Sequence, residues 1–349
     1  MTQQGCPGWE ITVPGPAAEL RASRVTGAVI TPYVPRQVDT RRRAIRSAVY
    51  AEGTLVRGSV RQGGIGGDLV TSDDPEQLNG VSGFDPAAAE HVEGRWLYGG
   101  PFMAQFGHFL TESLPTLWPD FDGDGILFTP FVFGSEVAPW HRTLIERALP
   151  GKKVHVVGNG ARVDDLIIPD RPVVLNDSVA TAALSVWRKV ADRPHPSRNV
   201  FLSRSHLPRN SRWIEDDGLM DDIAEDLGFE VVHPEELSIE KQLEIAARAR
   251  ILAGPAGSAL HLSVFAPPSA RVIEIGDRRT PDRPLPMQRI IDGAFNRRVA
   301  FLPHDGGARR DVGYFTKSLG SLLEDAALAN NLARAKAREA VNARAVADS

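Results

Sequence analysis

The stretch from Ala249 to Asp277 limits the possible folds of this chain more than any other. It reads ARILAGPAGSALHLSVFAPPSARVIEIGD. Its pattern predicts, in order, a strand at Arg250–Ala253, a turn at Gly254–Gly257, a short apolar helix from Ser258 and a strand at Arg271–Ile275. A strand–helix–strand unit of this kind builds a parallel sheet with helices packed on its faces.

The turn inside this unit also predicts a ligand. Ser258 is a residue type that caps the N-terminus of a helix, and the preceding glycines allow a ligand to approach the backbone. N–H groups at the start of the helix would then face an anion such as a diphosphate. We therefore expect a phosphate-bearing ligand at the carboxyl ends of the parallel strands.

The residues before this unit continue the same alternation. VFLSR (Val200–Arg204) predicts a strand, and Leu219, Ile223 and Leu227 follow at helical spacing. FEVVHP predicts the next strand, and Ser238 is a suitable N-cap for a helix over IEKQLEIAARA. Strands that alternate with helices in this way predict a doubly wound α/β fold.

The first part of the chain has a different pattern. Between Arg21 and Gly100, short apolar runs alternate with Gly, Pro and Asp, which favours strands and hairpins over helices. Two later runs, VHVVG and LIIP, predict strands of a small sheet, and Ser178–Val190 predicts a helix. We expect an N-terminal domain over 1–192, a C-terminal domain over 193–315 and a helical tail over 316–349.

Composition excludes several classes of function. The 349 residues suit two domains of roughly 150 residues each. A net charge of −4 and a pI near 6.2 give no general attraction to nucleic acid or anionic membranes. The single cysteine, Cys6, excludes an intramolecular disulfide and a multi-cysteine zinc site. The chain has no apolar run of about 18 residues and no signal-peptide pattern, so we expect a cytoplasmic protein without an integral membrane segment.

His108 and Glu112 form the first candidate catalytic pair. If Gln105–Ser113 is helical, the two residues lie on one side of the helix and apolar residues lie on the other. Either a His or a Glu can remove the proton from an attacking hydroxyl group, and we favour His108 because imidazole titrates near neutral pH. The alternatives are a solvated surface pair and a structural pair that holds the helix in place.

Charged residues of the second half are candidates for binding a nucleotide. Arg204 ends a predicted strand, where its guanidinium group would neutralise a diphosphate. The alternative for Arg204 is a salt bridge to a nearby acid, and Arg209 and Arg212 are weaker candidates of the same kind. Glu274 is placed to accept a hydrogen bond from a ribose, but we favour an exposed charge at the end of a strand.

Other patterns do not predict a site. Asp122-Gly123-Asp124 resembles a metal-binding Asp-x-Asp motif, but it is also an ordinary turn sequence, and we favour the turn. The glycines at 63, 64, 66 and 67 lack the Gly-Lys-Ser/Thr ending of a phosphate loop. His261, on an apolar helix, is expected to be a core residue. The histidines show no paired metal spacing, so we expect neither a metal nor a cofactor.

Three sequence elements occur in the order that marks a known family. They are Gly107-His108-Phe109-Leu110-Thr111-Glu112-Ser113-Leu114-Pro115, then Leu202-Ser203-Arg204, and then Gly254-Pro255-Ala256-Gly257-Ser258-Ala259-Leu260 with Phe265-Ala266-Pro267. Pro234-Glu235-Glu236-Leu237-Ser238 precedes the last of them. With these elements the chain resembles glycosyltransferase family 61, in its bacterial-type members, over roughly residues 99–276.

The resemblance implies a GT-B-like fold, in which two Rossmann-like lobes face a central cleft. Here a β-rich N-terminal extension and a C-terminal helix would be added to it. It further implies an inverting, metal-independent transfer from a nucleotide-sugar, with a UDP-sugar favoured, to a glycan or small-molecule acceptor. By position in the motifs, the expected nucleotide-sugar contacts besides Arg204 are Glu235, Gly257, Ser258 and Ala259.

Two departures from the family pattern leave alternatives open. Ala256 stands where many members have His, and Asp216-Asp217 replaces a frequent Asn-Glu pair. A non-catalytic nucleotide-sugar or glycan-binding protein with the same fold is therefore the second hypothesis. A Rossmann-type oxidoreductase is the third, although no strand here is followed by G-x-G-x-x-G with a downstream acid.

Overall fold

Two β-sheets with helices between them make up the computed structural model of the protein. The structure describes residues 9–10, 20–33, 47–61, 77–81, 83–131, 136–208, 217–304 and 316–322. Within these residues, one sheet has seven strands, the other has six, and two further strands pair with each other. The expected α/β class is therefore confirmed.

The elements are numbered along the chain. The strands are β1 (Trp9–Glu10), β2 (Ala22–Ile30), β3 (Val49–Ala51), β4 (Thr54–Leu55), β5 (Glu90–Pro101), β6 (Gly125–Thr129), β7 (Lys153–Val156), β8 (Ala161–Pro169), β9 (Val173–Val174), β10 (Ser178–Val179), β11 (Arg198–Leu202), β12 (Glu230–Val232), β13 (Ala249–Pro255), β14 (Arg271–Ile275) and β15 (Val299–Leu302). The α-helices are α1 (Phe106–His108), α2 (Pro139–Ala148), α3 (Thr181–Val190), α4 (Asp217–Asp226), α5 (Ile239–Arg248) and α6 (Pro286–Ala294). Short 3₁₀ turns lie at Arg57–Ser59, Leu78–Gly80, Pro86–Ala88, Leu114–Leu117, Pro234–Glu236 and Leu260–Phe265, and a π-helical turn lies at Phe109–Ser113.

The seven-stranded sheet is mixed. Its order is β4-β3-β2-β8-β5-β6-β7. The strands β5 to β8 run parallel, whereas β2, β3 and β4 pair antiparallel. The strands expected before Gly100 are confirmed as β2 to β5. VHVVG and LIIP also form strands, in β7 and β8, but they belong to this large sheet and not to a small one, because β8 pairs along its whole length with β2.

The six-stranded sheet contains the regular second half of the chain. Its order is β1-β15-β14-β13-β11-β12, and every pair is parallel except β1 with β15. The parallel sheet expected from the sequence is confirmed, and β14 spans the predicted residues. The sequence pattern does not predict α6, β15 or β1, which pairs Trp9 with Phe301 at the edge of this second sheet.

The helices agree with the sequence patterns in most respects. The helix expected at the end of the first domain is α3, which begins a few residues late, at Thr181. Ser238 is the N-cap of α5, as expected, and its side chain accepts from the backbone N–H of Lys241 at 3.4 Å. Residues 316–322 are helical, and the rest of the expected tail lies outside the described residues. In the part of the chain that the structure describes, no helix is both long enough and apolar enough to cross a bilayer.

One hydrophobic core joins the two sheets. The largest cluster of buried apolar residues includes Phe128 of the first sheet and Leu252 and Val272 of the second. Trp187 of α3 is fully buried in this cluster and donates its Nε1–H to the carbonyl oxygen of Leu110 at 2.8 Å. Burying a tryptophan removes about 150–250 Å² of surface from water, so this contact holds the segment around Leu110 firmly between the sheets.

Candidate functional site

A cleft of about 480 Å³ lies between the 106–117 segment, which begins with α1, and the carboxyl ends of the parallel strands β11 and β13. Most of the residues predicted for the site line this cleft: His108, Arg204, Glu235, Gly257, Ser258 and Ala259. These residues come from separate stretches of the chain. The fold therefore brings together residues that are far apart in the sequence.

The 106–117 segment is helical but changes its form along its length. Its first turn is α-helical, Phe109–Ser113 is π-helical and Leu114–Leu117 is 3₁₀-helical. A π-turn inside a helix is frequent at functional sites. Phe109 and Leu110 are fully buried, whereas His108 faces the cleft. The expected helix is confirmed, although only its first turn is a regular α-helix.

Gly107 brings the 106–117 segment against the turn after β13. A Cβ atom at this position would lie 2.6 Å from Cβ of Ser258 and 3.0 Å from Cδ2 of His261. A close-packed interior does not tolerate carbon atoms at such distances, so only glycine permits the approach. The approach puts His108 on the same cleft as the turn at residues 256–259.

His108 and Glu112 form a hydrogen-bonded pair. Nδ1 of His108 lies 2.6 Å from Oε1 of Glu112, and the two side chains are 36% and 6% exposed, respectively. The imidazole therefore reaches the cleft, whereas the carboxylate lies beneath it. The alternative of a solvated surface pair is wrong, because Glu112 is almost entirely removed from water.

Arg61 also binds Glu112, and the sequence patterns do not predict it. Its Nε donates to Oε2 of Glu112 at 2.7 Å, and its Nη2 donates to Oε1 at 2.9 Å. Burial raises the pKa of Glu112, but hydrogen bonds from His108 and Arg61 outweigh burial, so the pKa lies below its ordinary value. Glu112 is therefore a carboxylate at neutral pH.

Arg204 follows the end of β11 in a loop that α4 holds in place. Arg204 is 9% exposed and lines the cleft. The serines on either side of it, Ser203 and Ser205, donate their hydroxyl hydrogens to Oδ2 of Asp221 at 2.8 and 2.6 Å. Asp221 lies on α4, so the helix fixes the backbone on both sides of Arg204.

Arg279 is a second cation on the cleft. Nη1 of Arg204 and Nη2 of Arg279 both donate to the carbonyl oxygen of Ala256, at 3.3 and 3.1 Å. Asp277 accepts from Nε of Arg279 at 2.9 Å, so the position of Arg279 is fixed as well. The sequence analysis missed Arg279. The signal for it is its place just after the carboxyl end of β14, which corresponds to the place of Arg204 after β11.

The turn at residues 256–259 differs from the prediction. The helix after it, Leu260–Phe265, is a six-residue 3₁₀ helix with Ala259 as its N-cap and no side-chain capping bond. The backbone N–H groups of Leu260 and His261 bond to the carbonyl oxygens of Gly257 and Ser258 at 3.1 and 3.2 Å. The expected role of Ser258 as the N-cap is therefore wrong, because Ser258 already belongs to the first turn.

The two acidic candidates lie in different environments. Glu235 is exposed on the Pro234–Glu236 turn and lines the cleft. Glu274 is completely buried in β14, where Oε1 accepts from the backbone N–H of Leu285 at 2.9 Å. Burial raises the pKa of Glu274 to about 8. The expectation of an exposed charge is wrong, because every residue of β14 is buried. Glu274 does not line the cleft, so its contact with a ribose stays a prediction without support from the structure.

The segment that supplies most of the cleft also shows a family relationship. Residues 106–273 match the Glycosyltransferase 61 family model. The match covers a little under half of the chain, from the start of the 106–117 segment into β14, and it agrees with the resemblance seen in the motifs. It supports a glycosyltransferase. No curated protein matches the chain.

Two arginines of the site lie outside the Glycosyltransferase 61 match. Arg61 precedes the matched residues and Arg279 follows them. Both contact residues inside the match, because Arg61 binds Glu112 and Arg279 binds the carbonyl of Ala256. The family motifs alone therefore do not identify the complete site.

His261 connects the cleft to a buried polar network. Its Nδ1 lies 2.8 Å from Oε1 of Gln288, whose Nε2 donates to Ser263 and Asp292 at 2.9 and 2.6 Å. Asp292 in turn pairs with Arg297 at 3.3 Å. This network agrees with the expectation of a core residue, although the ring of His261 also lines the cleft.

An apolar pocket of about 570 Å³ adjoins the cleft. Phe106, Leu207, Glu235, Ser258 and Ala259 line both spaces. The ring centre of Phe106 lies 5.5 Å from that of Trp140. Trp140 lines the pocket but not the cleft. The cations Arg204 and Arg279 line only the cleft, so the cationic part of this surface is separate from the apolar pocket.

Several residues that the sequence analysis singled out are not found at the cleft. Arg209, Arg212, Asp216 and the glycines at 63, 64, 66 and 67 lie outside the described residues. Asp122 and Asp124 lie in the loop before β6, where both bond to Arg95, in agreement with a turn. Among the described residues, no group of three or more His, Cys, Asp and Glu side chains is arranged to hold a metal ion.

Proposed function

We propose that the protein is an inverting glycosyltransferase that moves a sugar from a nucleotide-sugar donor to a hydroxyl group of a glycan or small-molecule acceptor. One observation carries the proposal. A histidine supported by a carboxylate lines the same cleft as two converging guanidinium groups. Metal-independent glycosyl transfer needs a base for the acceptor and a cation for the leaving group, and this cleft offers both.

His108 acts as the general base on the acceptor side. Glu112 accepts from Nδ1, so Nε2 has the lone pair that receives the proton. As the acceptor oxygen attacks the anomeric carbon, its O–H bond breaks, the proton moves to Nε2 and the new C–O bond forms. Attack from the side opposite the leaving group inverts the configuration of the anomeric carbon.

Arg204 and Arg279 act on the donor side. The bond between the anomeric carbon and the diphosphate oxygen breaks, and negative charge develops on the nucleoside diphosphate. Guanidinium groups bind such oxygens through paired N–H groups, and the charge of the nearly buried Arg204 acts through a medium of low dielectric constant. The backbone at Gly257, Ser258 and Ala259 adjoins this charge and contacts the diphosphate.

The architecture that we propose for this reaction is GT-B-like. The lobe over 1–192 supplies His108, and the lobe over 193–315 supplies Arg204 and Arg279, with 316–349 as a C-terminal segment. The position of the cleft between the two sheets supports this assignment. A UDP-sugar donor bound without a metal, a role in polysaccharide assembly and a cytoplasmic reaction complete the proposal by analogy with the family.

A donor screen tests the proposal. The protein is heated with UDP, GDP or CMP, since a ligand at a hundredfold its dissociation constant stabilises by about 2.7 kcal/mol. Sugar transfer is then measured from sugar nucleotides that contain the same nucleobase as the stabilising nucleotide. NMR gives the anomeric configuration of the product. We expect binding, turnover and an inverted anomer. Binding without any turnover favours the non-catalytic binding protein, and the absence of binding contradicts both functions.

A further inference from the structure

Arg61 contacts the His108–Glu112 pair from a part of the chain that the family motifs do not include. Its guanidinium group donates two hydrogen bonds to Glu112, at 2.7 Å to Oε2 and at 2.9 Å to Oε1. Oε1 also lies 2.6 Å from Nδ1 of His108. One carboxylate oxygen of Glu112 therefore links the arginine to the imidazole.

This arrangement decides which nitrogen of His108 carries hydrogen. A carboxylate that receives two guanidinium N–H groups is an acceptor, so its contact with His108 requires hydrogen on Nδ1. The neutral ring then has its lone pair on Nε2. A protonated Glu112 would instead donate its hydrogen to Nδ1, so the hydrogen of the neutral ring would lie on Nε2. The nitrogen that faces the substrate would then have no lone pair to accept a proton.

Arg61 also balances the charge of Glu112. A buried carboxylate without a cation either takes up a proton or keeps a neighbouring base protonated. Among the described residues, the other ionisable groups that act on Glu112 are His108 itself and Arg171, whose charge interacts with that of Glu112 and which lies near Tyr98. Arg61 is the cation that bonds directly to both carboxylate oxygens.

Packing in the N-terminal part of the chain holds Arg61 in place. The residue follows the Arg57–Ser59 turn, where Ser59 Oγ accepts from the backbone N–H of Val49 at 2.9 Å and donates to the carbonyl of Val56 at 2.7 Å. The guanidinium carbon lies 5.2 Å from the centre of the Phe131 ring. These contacts fix the backbone just before Arg61 and place its guanidinium group beside an aromatic ring.

We propose that Arg61 is a positioning residue that keeps Glu112 ionised and His108 in the tautomer with hydrogen on Nδ1, ready to take a proton on Nε2. This inference rests on the proposed function, because it adds Arg61 to the pair formed by the general base His108 and Glu112. Arg61 acts through Glu112 and does not touch the substrate. Without it, the His108–Glu112 pair keeps one extra proton, either on Glu112, which leaves the hydrogen of the neutral ring on Nε2, or on His108 as an imidazolium, and neither form of the ring can act as a base.

Nitrogen NMR of the histidine-labelled full-length protein tests this inference without any substrate, with His108→Ala used to assign the signals. At a pH where the wild-type ring is neutral with hydrogen on Nδ1, Arg61→Met is expected to show a ring with hydrogen on Nε2, either as an imidazolium or as the other neutral tautomer. Arg61→Lys should show a mixture, because lysine restores the charge without the paired geometry. A neutral ring unchanged in Arg61→Met overturns the proposal. If only Arg61→Lys folds, a spectrum identical to that of the wild type in this variant overturns the proposal.

Kinetics of the same variants separate positioning from a merely structural role. We expect kcat of Arg61→Met to fall roughly 10–100-fold, as a part of the about 10²–10⁴-fold that a general base contributes, with the Kd for nucleoside diphosphate unchanged. The acid limb of its pH profile should move up by about one pH unit. A loss of kcat with the wild-type pH profile contradicts the proposal.

Arg24→Met is the matched control for these measurements. Arg24 also binds a carboxylate through two N–H groups, at 2.8 Å each to Asp165, but it is exposed. Arg24 lies on β2 of the seven-stranded sheet and does not line the cleft. We expect this variant to keep the wild-type tautomer, kcat and pH profile, so that an effect of Arg61→Met cannot be assigned to the loss of any ion pair.

Discussion

Arg204 and Arg279 meet at one acceptor, the carbonyl oxygen of Ala256, at 3.3 and 3.1 Å. Two guanidinium groups repel each other, so they converge only where acceptors or anions compensate their charge. Asp277 compensates part of the charge of Arg279. The convergence identifies the part of the cleft that is best suited to a diphosphate, and it leads to the first prediction.

Arg204→Ala is expected to weaken binding of the nucleoside diphosphate by roughly 1.5–3 kcal/mol, the usual contribution of a charged hydrogen bond. Arg279→Ala should have a smaller effect, because its side chain is 32% exposed and already paired with Asp277. Isothermal titration calorimetry measures both effects. Arg289→Ala is the control, since Arg289 is exposed on α6 and does not line the cleft. Equal affinity of Arg204→Ala and wild type would remove Arg204 from the site.

Asp221→Ala is expected to weaken the same binding by a smaller amount, about 0.5–1.5 kcal/mol, because the hydroxyl groups beside Arg204 lose their shared acceptor. Asp222→Ala on the same helix is the matched control, since Asp222 is exposed. If Asp221 acts through Arg204, the two losses do not add in the double variant Asp221→Ala/Arg204→Ala. Additive losses would show that Asp221 acts independently of Arg204.

Gly107→Ala is expected to destabilise the protein by about 1–3 kcal/mol, because its new Cβ meets Ser258 at 2.6 Å. The same clash pushes His108 away from the donor side, so kcat should also fall. Gly218→Ala is the control, because nothing lies within 4 Å of a Cβ there and alanine favours the helix by about 0.5–1 kcal/mol. Urea unfolding and steady-state kinetics measure the two effects. Wild-type behaviour of Gly107→Ala would mean that the segments are not in close contact.

Glu274→Gln is expected to gain stability over wild type as the pH rises. Burial raises the pKa of Glu274 from 4.5 to about 8 in the folded protein, so the native state holds a proton that the unfolded chain has lost. The wild type therefore loses up to about 1.4 kcal/mol per pH unit through this group between its two pKa values. Urea unfolding of both proteins from pH 5 to pH 8 measures the difference. A constant difference would mean that Glu274 titrates normally.

The pattern of apolar runs predicts the second sheet well. Arg271–Ile275 is a strand because a short apolar run between turn signals fits a strand that is buried on both faces. The same rule explains the error at Glu274, since both faces of β14 are covered and its charged residue has no exposed side. The pairing of Trp9 with Phe301 was not predictable, because nothing local marks two distant short strands as partners.

Prediction of the site from the sequence has the same limit, because only local contacts can be predicted. His108 and Glu112 were predictable as a pair because their contact depends on the local spacing along one helix. Arg61 and Arg279 were not, because their contacts with Glu112 and the carbonyl of Ala256 join distant parts of the chain. The cap at Ser258 was mispredicted because the local sequence does not distinguish the start of an α-helix from that of the six-residue 3₁₀ helix that forms here.

Turnover of His108→Ala, measured beside its nucleotide affinity, tests the central claim most directly. Loss of the base with the donor site intact should lower kcat by about 10²–10⁴-fold and leave the Kd for nucleoside diphosphate unchanged. His195→Ala, at an exposed histidine before β11, is the control and should keep both values, and Glu112→Gln should cost less than His108→Ala. Wild-type turnover in His108→Ala, with the larger loss in Glu112→Gln, would contradict the assignment of His108 as the base.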